Sequence, residues 1–152
     1  MSLPSPTVAP LTTEQYEDVL PLIASYQRFY RVEQPDEERN REFFRRFLDP
    51  SPVGLLLGAW ADDSLAGFAC LYWTFSSVSA TKVVLLNDLF VREEARGRGT
   101  GRALIDAAVA VARSRGAASV RWYTEADNHA AQRVYDRTGA SRSAWFEYEL
   151  EA

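Results

Sequence analysis

Between residues 85 and 105 an apolar run gives way to a loop of glycine and arginine, and the loop opens directly onto a helical pattern. The run Leu85-Leu86-Asn87-Asp88-Leu89-Phe90-Val91 is rich in strand formers. Arg92 to Ala95 follow, then Arg96-Gly97-Arg98-Gly99-Thr100-Gly101-Arg102, then Ala103-Leu104-Ile105. Glycine admits positive φ and lets a backbone approach a ligand closely. The first N–H groups of a helix have no internal partner, and the positive end of the macrodipole lies there. Arg96, Arg98 and Arg102 add charge around them. The stretch therefore reads as strand, loop and helix, built to hold an anionic group such as a phosphate.

Two common phosphate loops do not fit. A P-loop needs Lys and Ser/Thr straight after its last glycine, but Gly101 is followed by Arg102 and Ala103. A dinucleotide fingerprint needs Gly or Ala three residues after its second glycine. Those positions hold Arg102 or Leu104, depending on register. What remains is Arg-x-x-Gly-x-Gly at Arg96, Gly99 and Gly101.

The rest of the chain organises around this unit. Residues 1–6 are expected to be loose, with a short edge strand around Thr7 to Leu11. Thr12 and Gln15 make a capping box. Tyr16, Val19, Leu20, Ile23, Tyr26 and Tyr30 then recur at helical spacing, with Pro21 bending the helix or delaying its start. The aromatic end, Tyr26 to Tyr30, serves either as core or as one wall of a substrate pocket. Asp36 caps a second helix carrying Phe43, Phe44, Phe47 and Leu48, which Pro50 and Pro52 stop.

Val53 to Ala61, Leu65 to Phe75 and Lys82 to Val91 are predicted as an antiparallel meander, with a hairpin turn at Asp62-Asp63-Ser64 and a loop at Ser76 to Ala80. The helix after the glycine loop buries Leu104, Ile105, Ala108 and Val111 and ends at Gly116. Ala118 to Thr124 is predicted to lie parallel to the central strand, since a helix joins them. A short helix, Asn128 to Thr138, is capped by Asp127 or Asn128 and ends at Gly139. A closing strand is predicted over Ser143 to Leu150. This order gives one α/β (α+β) domain with a mixed sheet.

Composition narrows the function. The chain has 152 residues, one domain's worth, with net charge −4, one cysteine and one histidine. An acidic balance disfavours nucleic acid as a partner. Cys70 has no internal partner for a disulfide and reads as a buried, inert thiol; no dense metal-ligand cluster is present, and any Ser-His-Asp triad would have to use His129, which reads as a surface residue. No signal peptide or membrane span is visible, so a cytoplasmic protein is expected.

Asn128 and Tyr135 lie seven residues apart, two helical turns, so they share a face, with Ala131 between them. Together with the Arg-x-x-Gly-x-Gly loop some thirty residues earlier, this segment resembles the GNAT superfamily of acyl-CoA-dependent N-acetyltransferases. The likeness runs from the aromatic first helix to the last strand. It is greatest to the polyamine and thialysine enzymes and to the fungal histone, polyamine and D-amino-acid acetyltransferases, and residues 25–30, 46–50, 87–91 and 127–129 look most like the fungal group.

The resemblance implies a mostly antiparallel sheet with a splayed parallel strand pair, flanked by about four helices. It implies acetyl-CoA as co-substrate, with Leu89, Phe90 and Val91 along its pantetheine arm. Arg96, Gly97, Arg98, Gly99, Thr100, Gly101 and Arg102 would stand at its pyrophosphate, and Asn128 and Ala131 beside the arm. Tyr135 would act as general acid. Asn87, Asp88, Tyr26, Tyr30 and Glu147 would face the acceptor, an amine of a small molecule or peptide. The polyamine enzymes carry Glu where this chain has Asn87, and an amide is no base. Asp88, or a water chain ending on Glu125 or Glu147, is left for that role. Strand alternation sets Asn87 and Asp88 on opposite faces, which favours Asn87 as the group that orients substrate. Many relatives pair through their last strands, so a homodimer through the aromatic segment 144–148 is expected. The alternative is a non-catalytic acyl-CoA-binding or regulatory module with the same pocket.

Overall fold

A computed structural model describes residues 4–152. It contains β1 (Thr7–Pro10), α1 (Tyr16–Phe29), α2 (Glu37–Phe44), β2 (Gly54–Ala61), β3 (Ser64–Ser76), β4 (Thr81–Val91), α3 (Thr100–Ser114), β5 (Ser119–Arg121) and α4 (His129–Asp136). The strands form one sheet in the order β1-β2-β3-β4-β5. The first four are antiparallel neighbours, and β4 and β5 run parallel. Of the head predicted to be loose, residues 1–3 lie outside the described residues, and β1 is the expected edge strand.

Each face of the sheet carries its own apolar layer. Val19 and Ile23 of α1 and Phe44 of α2 pack with Leu56, Phe68 and Cys70 on one face; Leu104, Ile105, Ala108 and Ala112 of α3 pack with Leu57, Leu71, Val84 and Leu86 on the other. A fully buried Leu, Ile or Phe side chain contributes about 1.5–3 kcal/mol, so these layers supply the main drive to fold. Gly54 is required by close approach. A Cβ there would stand 2.0 Å from the Leu71 carbonyl oxygen and 2.8 Å from the Phe47 ring.

The helix ends follow their local chemistry. Thr12 and Gln15 exchange the two capping-box bonds, at 3.0 and 3.3 Å, but regular helix begins only at Tyr16 and then runs through Pro21. Asp36 accepts from the Arg39 N–H at 3.0 Å and starts α2. Gly116 and Gly139 take positive φ just beyond α3 and α4. A reciprocal amide pair at 2.8 Å in both directions, Gln27 with buried Asn40, fastens the aromatic end of α1 to α2.

Three expectations are corrected. The predicted strand from Ala118 to Thr124 pairs only over Ser119–Arg121. The predicted closing strand, Ser143 to Leu150, pairs with no strand among the described residues; the sheet ends at β5 and these residues are exposed. Alternation through Asn87 and Asp88 is broken by a bulge. Leu71 pairs with Leu86 and Cys70 with Asp88, which leaves Asn87 as the extra residue. Asn87 is pushed out into solvent, and Asp88 is turned onto the α1 face and buried.

Candidate active site

The sheet opens where the glycine loop begins. β4 meets β5 only through Val83, Val84 and Leu85, so beyond Leu85 its outer edge has no strand beside it. The Arg92 N–H donates to Ala66 on β3. In an antiparallel ladder successive residues turn their polar groups alternately toward and away from the neighbour. Leu89 and Val91 therefore direct theirs into the opening, whereas the backbone of Phe90 is turned toward β3. The Val91 carbonyl is taken by Arg96 Nε at 2.9 Å, and the Arg96 guanidinium lies 5.7 Å from the Phe90 ring centre. That leaves both groups of Leu89 and the N–H of Val91 for a ligand.

The loop itself presents unpartnered donors at an open helix start. Gly97 and Gly99 have φ of +75° and +82°, and a Cβ on either would meet no atom within 4 Å. No backbone N–H from Gly97 to Arg102 donates to a protein acceptor among the described residues; the first helical bond comes from Ala103 to Gly99. The Thr100 hydroxyl is buried and has no partner. Orphaned donors at an uncluttered helix start fit a pyrophosphate. The arginines are otherwise engaged. Arg98 is 3.9 Å from Asp62. Arg102 binds Asp106 at 3.0 Å and the Arg137 carbonyl at 3.2 Å, bracing α3 against the end of α4.

Asp88 lies on the α1 face under aromatic residues. It is 6 % exposed. Its Oδ1 accepts from Asn87 Nδ2 at 3.1 Å, and its Oδ2 has no hydrogen bond. Burial pushes its carboxyl above the usual carboxylate range, while the neighbouring Tyr26 hydroxyl, Asn87 amide and Cys70 thiol pull the other way. Tyr26 packs edge-on to Tyr30, Phe68 and Phe90, with ring centres 5.0, 5.9 and 6.3 Å apart. It is half-buried against the core of this face, the first of its two expected roles. Cys70 is buried, and its thiol is held protonated by that burial and by Asp88.

Tyr135 approaches from the other side of the opening. Its ring meets Trp122 edge-on at 5.6 Å. Burial, and then Tyr30, raise its hydroxyl above the ordinary tyrosine value, so it is a protonated donor at neutral pH. Burial, then Glu125 and Asp88, raise the Tyr30 hydroxyl above the ordinary tyrosine value. Asn128 uses its side-chain oxygen to cap α4, accepting from Ala131 at 3.2 Å, and keeps its NH₂ free to donate. Ala131 shares its side of the helix with Tyr135. Gln132 fixes α4 by donating to the Glu125 and Ala126 carbonyls at 3.0 Å each. His129 is exposed, as expected.

Glu147 is not brought to these residues; it lies on the exposed C-terminal segment. Two features were missed in the sequence. The bulge that buries Asp88 carries no glycine or proline to mark it. A groove of about 280 Å³ lies between Phe43, Arg46, Phe47, Val53 and Tyr72. Tyr72 stacks on Phe47 at 5.1 Å; burial, then Asp88, push its hydroxyl above the ordinary tyrosine value, and Arg46 pulls the other way. The groove therefore adjoins the buried acid, but its walls come from three separate segments.

The sequence model of the acetyltransferase (GNAT) family matches residues 19–140. An uncharacterized N-acetyltransferase of Bacillus subtilis (strain 168) is 34 % identical over 128 residues, 84 % of this chain and 85 % of that one. A D-amino-acid N-acetyltransferase of Saccharomyces cerevisiae is 37 % identical over 116 residues, covering 74 % of this chain and 70 % of its own. A crystal structure of a probable acetyltransferase superposes with a TM-score of 0.84 at 33 % identity, covering 96 % of this chain and 97 % of the other. A sheet that opens beside a helix start with unpartnered N–H groups is the architecture shared with these acetyltransferases. The chain belongs to the GNAT family and is an N-acetyltransferase. The co-substrate of that family is acetyl-CoA.

Proposed function

We propose that this enzyme transfers the acetyl group of acetyl-CoA to the primary amine of a small molecule, and that the acceptor is of amino-acid type. The observation that carries the reading is Asp88: a buried acid with an unpaired oxygen, on the acceptor face of the opening, under Tyr26 and Tyr30.

Acetyl-CoA supplies the activated thioester. The N–H groups from Gly97 to Arg102 and the Thr100 hydroxyl hold its pyrophosphate. The Leu89 backbone and the Val91 N–H hold the arm in the opening, and the Asn128 NH₂ donates to it from α4. Asp88, oriented by Asn87, takes the proton of the acceptor ammonium, directly or through a water. Its raised proton affinity brings it nearer the working pH, which suits a base. Tyr135 gives its proton to the departing thiolate, whose affinity for it is about that of a cysteine thiolate, and is restored by the second proton that the attacking nitrogen sheds as the amide forms.

The groove by Tyr72 supports the acceptor class. Arg46 at its rim attracts a carboxylate and repels a second ammonium, which favours an amino acid over a polyamine. The yeast relative, by its name, acts on D-amino acids. We place the enzyme in a reducing compartment such as the cytoplasm, in keeping with its single buried thiol, and infer that it works as a homodimer.

A thiol-release assay with L- and D-amino acids, spermidine and a lysine peptide tests this. Turnover highest with amino acids is expected. Highest turnover with spermidine or the peptide rejects the acceptor class. Binding of acetyl-CoA with no thiol released from any amine identifies a non-catalytic acyl-CoA module instead.

A further inference from the structure

The groove beside Tyr72 has more room than a carboxylate fills. Its volume is about 280 Å³, and an apolar cavity of about 150 Å³ already takes a benzene ring. Phe43, Phe47, Val53 and Tyr72 line it with carbon, and Arg46 is its one charged side chain. The aromatic wall is braced from behind. Phe47 stacks on Tyr72 with ring planes 12° apart, and Phe43 meets Phe44 and Phe47 edge-on at 5.1 and 5.8 Å. Phe44 and Phe47 are buried, whereas Phe43 and Val53 are 39 and 44 % exposed. Apolar surface from α2 and from the segment entering β2 thus lies open beside ordered rings.

Arg46 is fixed as well. Its Nε donates to the Phe43 carbonyl at 2.9 Å, and its guanidinium lies 4.5 Å from the Phe43 ring centre. It has no ion-pair partner among the described residues, so its terminal NH₂ groups are left for an anion. The groove also lies within reach of the acid. Tyr72 stands two residues beyond Cys70 on β3, and Cys70 is the register partner of Asp88. Two residues span about 7 Å of strand and leave their side chains on one face. An amine at Asp88 and a ring against Tyr72 can therefore belong to one small molecule.

We propose that the acceptor is an amino acid with an aromatic side chain, whose ring packs against Tyr72 and Phe47 between Phe43 and Val53 while Arg46 holds its carboxylate. The inference rests on the amino-acid reading above and adds the side-chain class to it. Aromatic pairs gain from their geometry beyond the area they bury, so a ring is favoured over an aliphatic chain of similar size. A guanidinium offers a carboxylate paired N–H groups, which sets the molecule's direction in the groove. A short side chain leaves the apolar wall uncovered, and a polar one surrenders its hydration to it, so alanine and serine are poor acceptors.

The test compares kcat/KM for phenylalanine, leucine, alanine and serine (each in L and D forms), phenethylamine and spermidine. Phenylalanine is expected to surpass alanine by at least about tenfold, the lower bound for a single methylene in an apolar pocket. It should also surpass phenethylamine, which keeps the ring and lacks the carboxylate. Val53→Trp fills the groove, and Phe43→Ala removes part of its wall; both should lower the ratio of phenylalanine to alanine. The Val53 carbonyl can still accept from the Trp73 N–H, a 2.9 Å bond, and melting temperatures show that each variant is folded. Should one fail to fold, the other carries the comparison. Amino acids ahead of spermidine, but with phenylalanine and alanine equal or with a ratio that neither variant changes, overturn the groove assignment and leave the amino-acid reading standing. Spermidine ahead of every amino acid overturns both. A second readout needs no turnover. With CoA present, phenylalanine should raise the wild-type melting temperature more than alanine does, and Val53→Trp should abolish the difference. That pattern in a protein that releases no thiol supports the groove as an aromatic amino-acid site while refuting the transferase reading; no difference in the wild type overturns the groove assignment.

Discussion

Replacing Asp88 by Asn separates the stability of this protein from its chemistry. The native carboxyl is buried, and its Oδ2 has no hydrogen bond. Leaving a buried polar group unsatisfied costs about 1–3 kcal/mol. An amide in its place keeps the acceptor for Asn87 and presents an NH₂ toward Tyr26. Asp88→Asn is therefore expected to stabilise the fold, raising the melting temperature on the order of 2–12 °C for a domain of this size. The effect has a defined pH dependence. Burial raises the native proton affinity of Asp88 above that of the unfolded chain. The native state then binds more protons than the unfolded state between the two pKa values, so wild-type stability falls as pH rises through the native one. At pH below the unfolded value both proteins are uncharged here and the difference is smallest; it should widen toward neutral pH. Turnover should move the opposite way, falling by ~10²–10⁴, the worth of a positioned base, or roughly 3–5 kcal/mol of barrier. Differential scanning fluorimetry from pH 4 to 8 and a thiol-release assay on the same preparations measure both. An Asp88→Asn protein that melts lower at neutral pH and keeps its turnover would refute this account, since Asp88 would then be a structural carboxylate.

Three further outcomes are expected. Tyr135→Phe keeps the ring against Trp122, so acetyl-CoA affinity should hold while turnover falls by ~10²–10⁴; a lowered melting temperature with unchanged turnover would assign the hydroxyl a packing role. Gly101→Ala meets only Val91, at 4.0 Å, so the helix should gain up to about 1 kcal/mol while the methyl obstructs the cradle. Calorimetry should then show acetyl-CoA binding weakened by about tenfold or more, the worth of one charge-assisted bond, and undiminished affinity counts against the cradle. Arg46→Ala should lower kcat/KM about tenfold for amino acids and leave simple amines unaffected, the modest size following from the exposure of Arg46; equal effects on both would remove Arg46 from acceptor choice.

The local chemistry of the chain was sufficient for much of this structure. The capping box at Thr12, the Asp36 cap, the turn at Asp62-Asp63 and the glycines at 97, 99, 116 and 139 act within a few residues, so their consequences are legible in order along the sequence. The strand–loop–helix unit is of this kind: its free N–H groups follow from where a helix starts and where side chains are missing. The seven-residue spacing of Asn128 and Tyr135 places both on one short element, but Asn128 stands just outside the helix as its cap, so its direction comes from the capping bond to Ala131 and not from helical periodicity. Other features depend on pairing between distant segments. The bulge at Asn87 exists only because Cys70 and Leu71 set the register opposite it, and that register, not alternation along β4, decided that Asp88 would be buried and Asn87 exposed. The groove at Arg46 needs α2, β2 and β3 assembled. The C-terminal segment shows the division most plainly. Its alternating side chains specify a strand, but a strand is stable only where an open edge receives its backbone, and among the described residues it lies beside no strand of its own sheet.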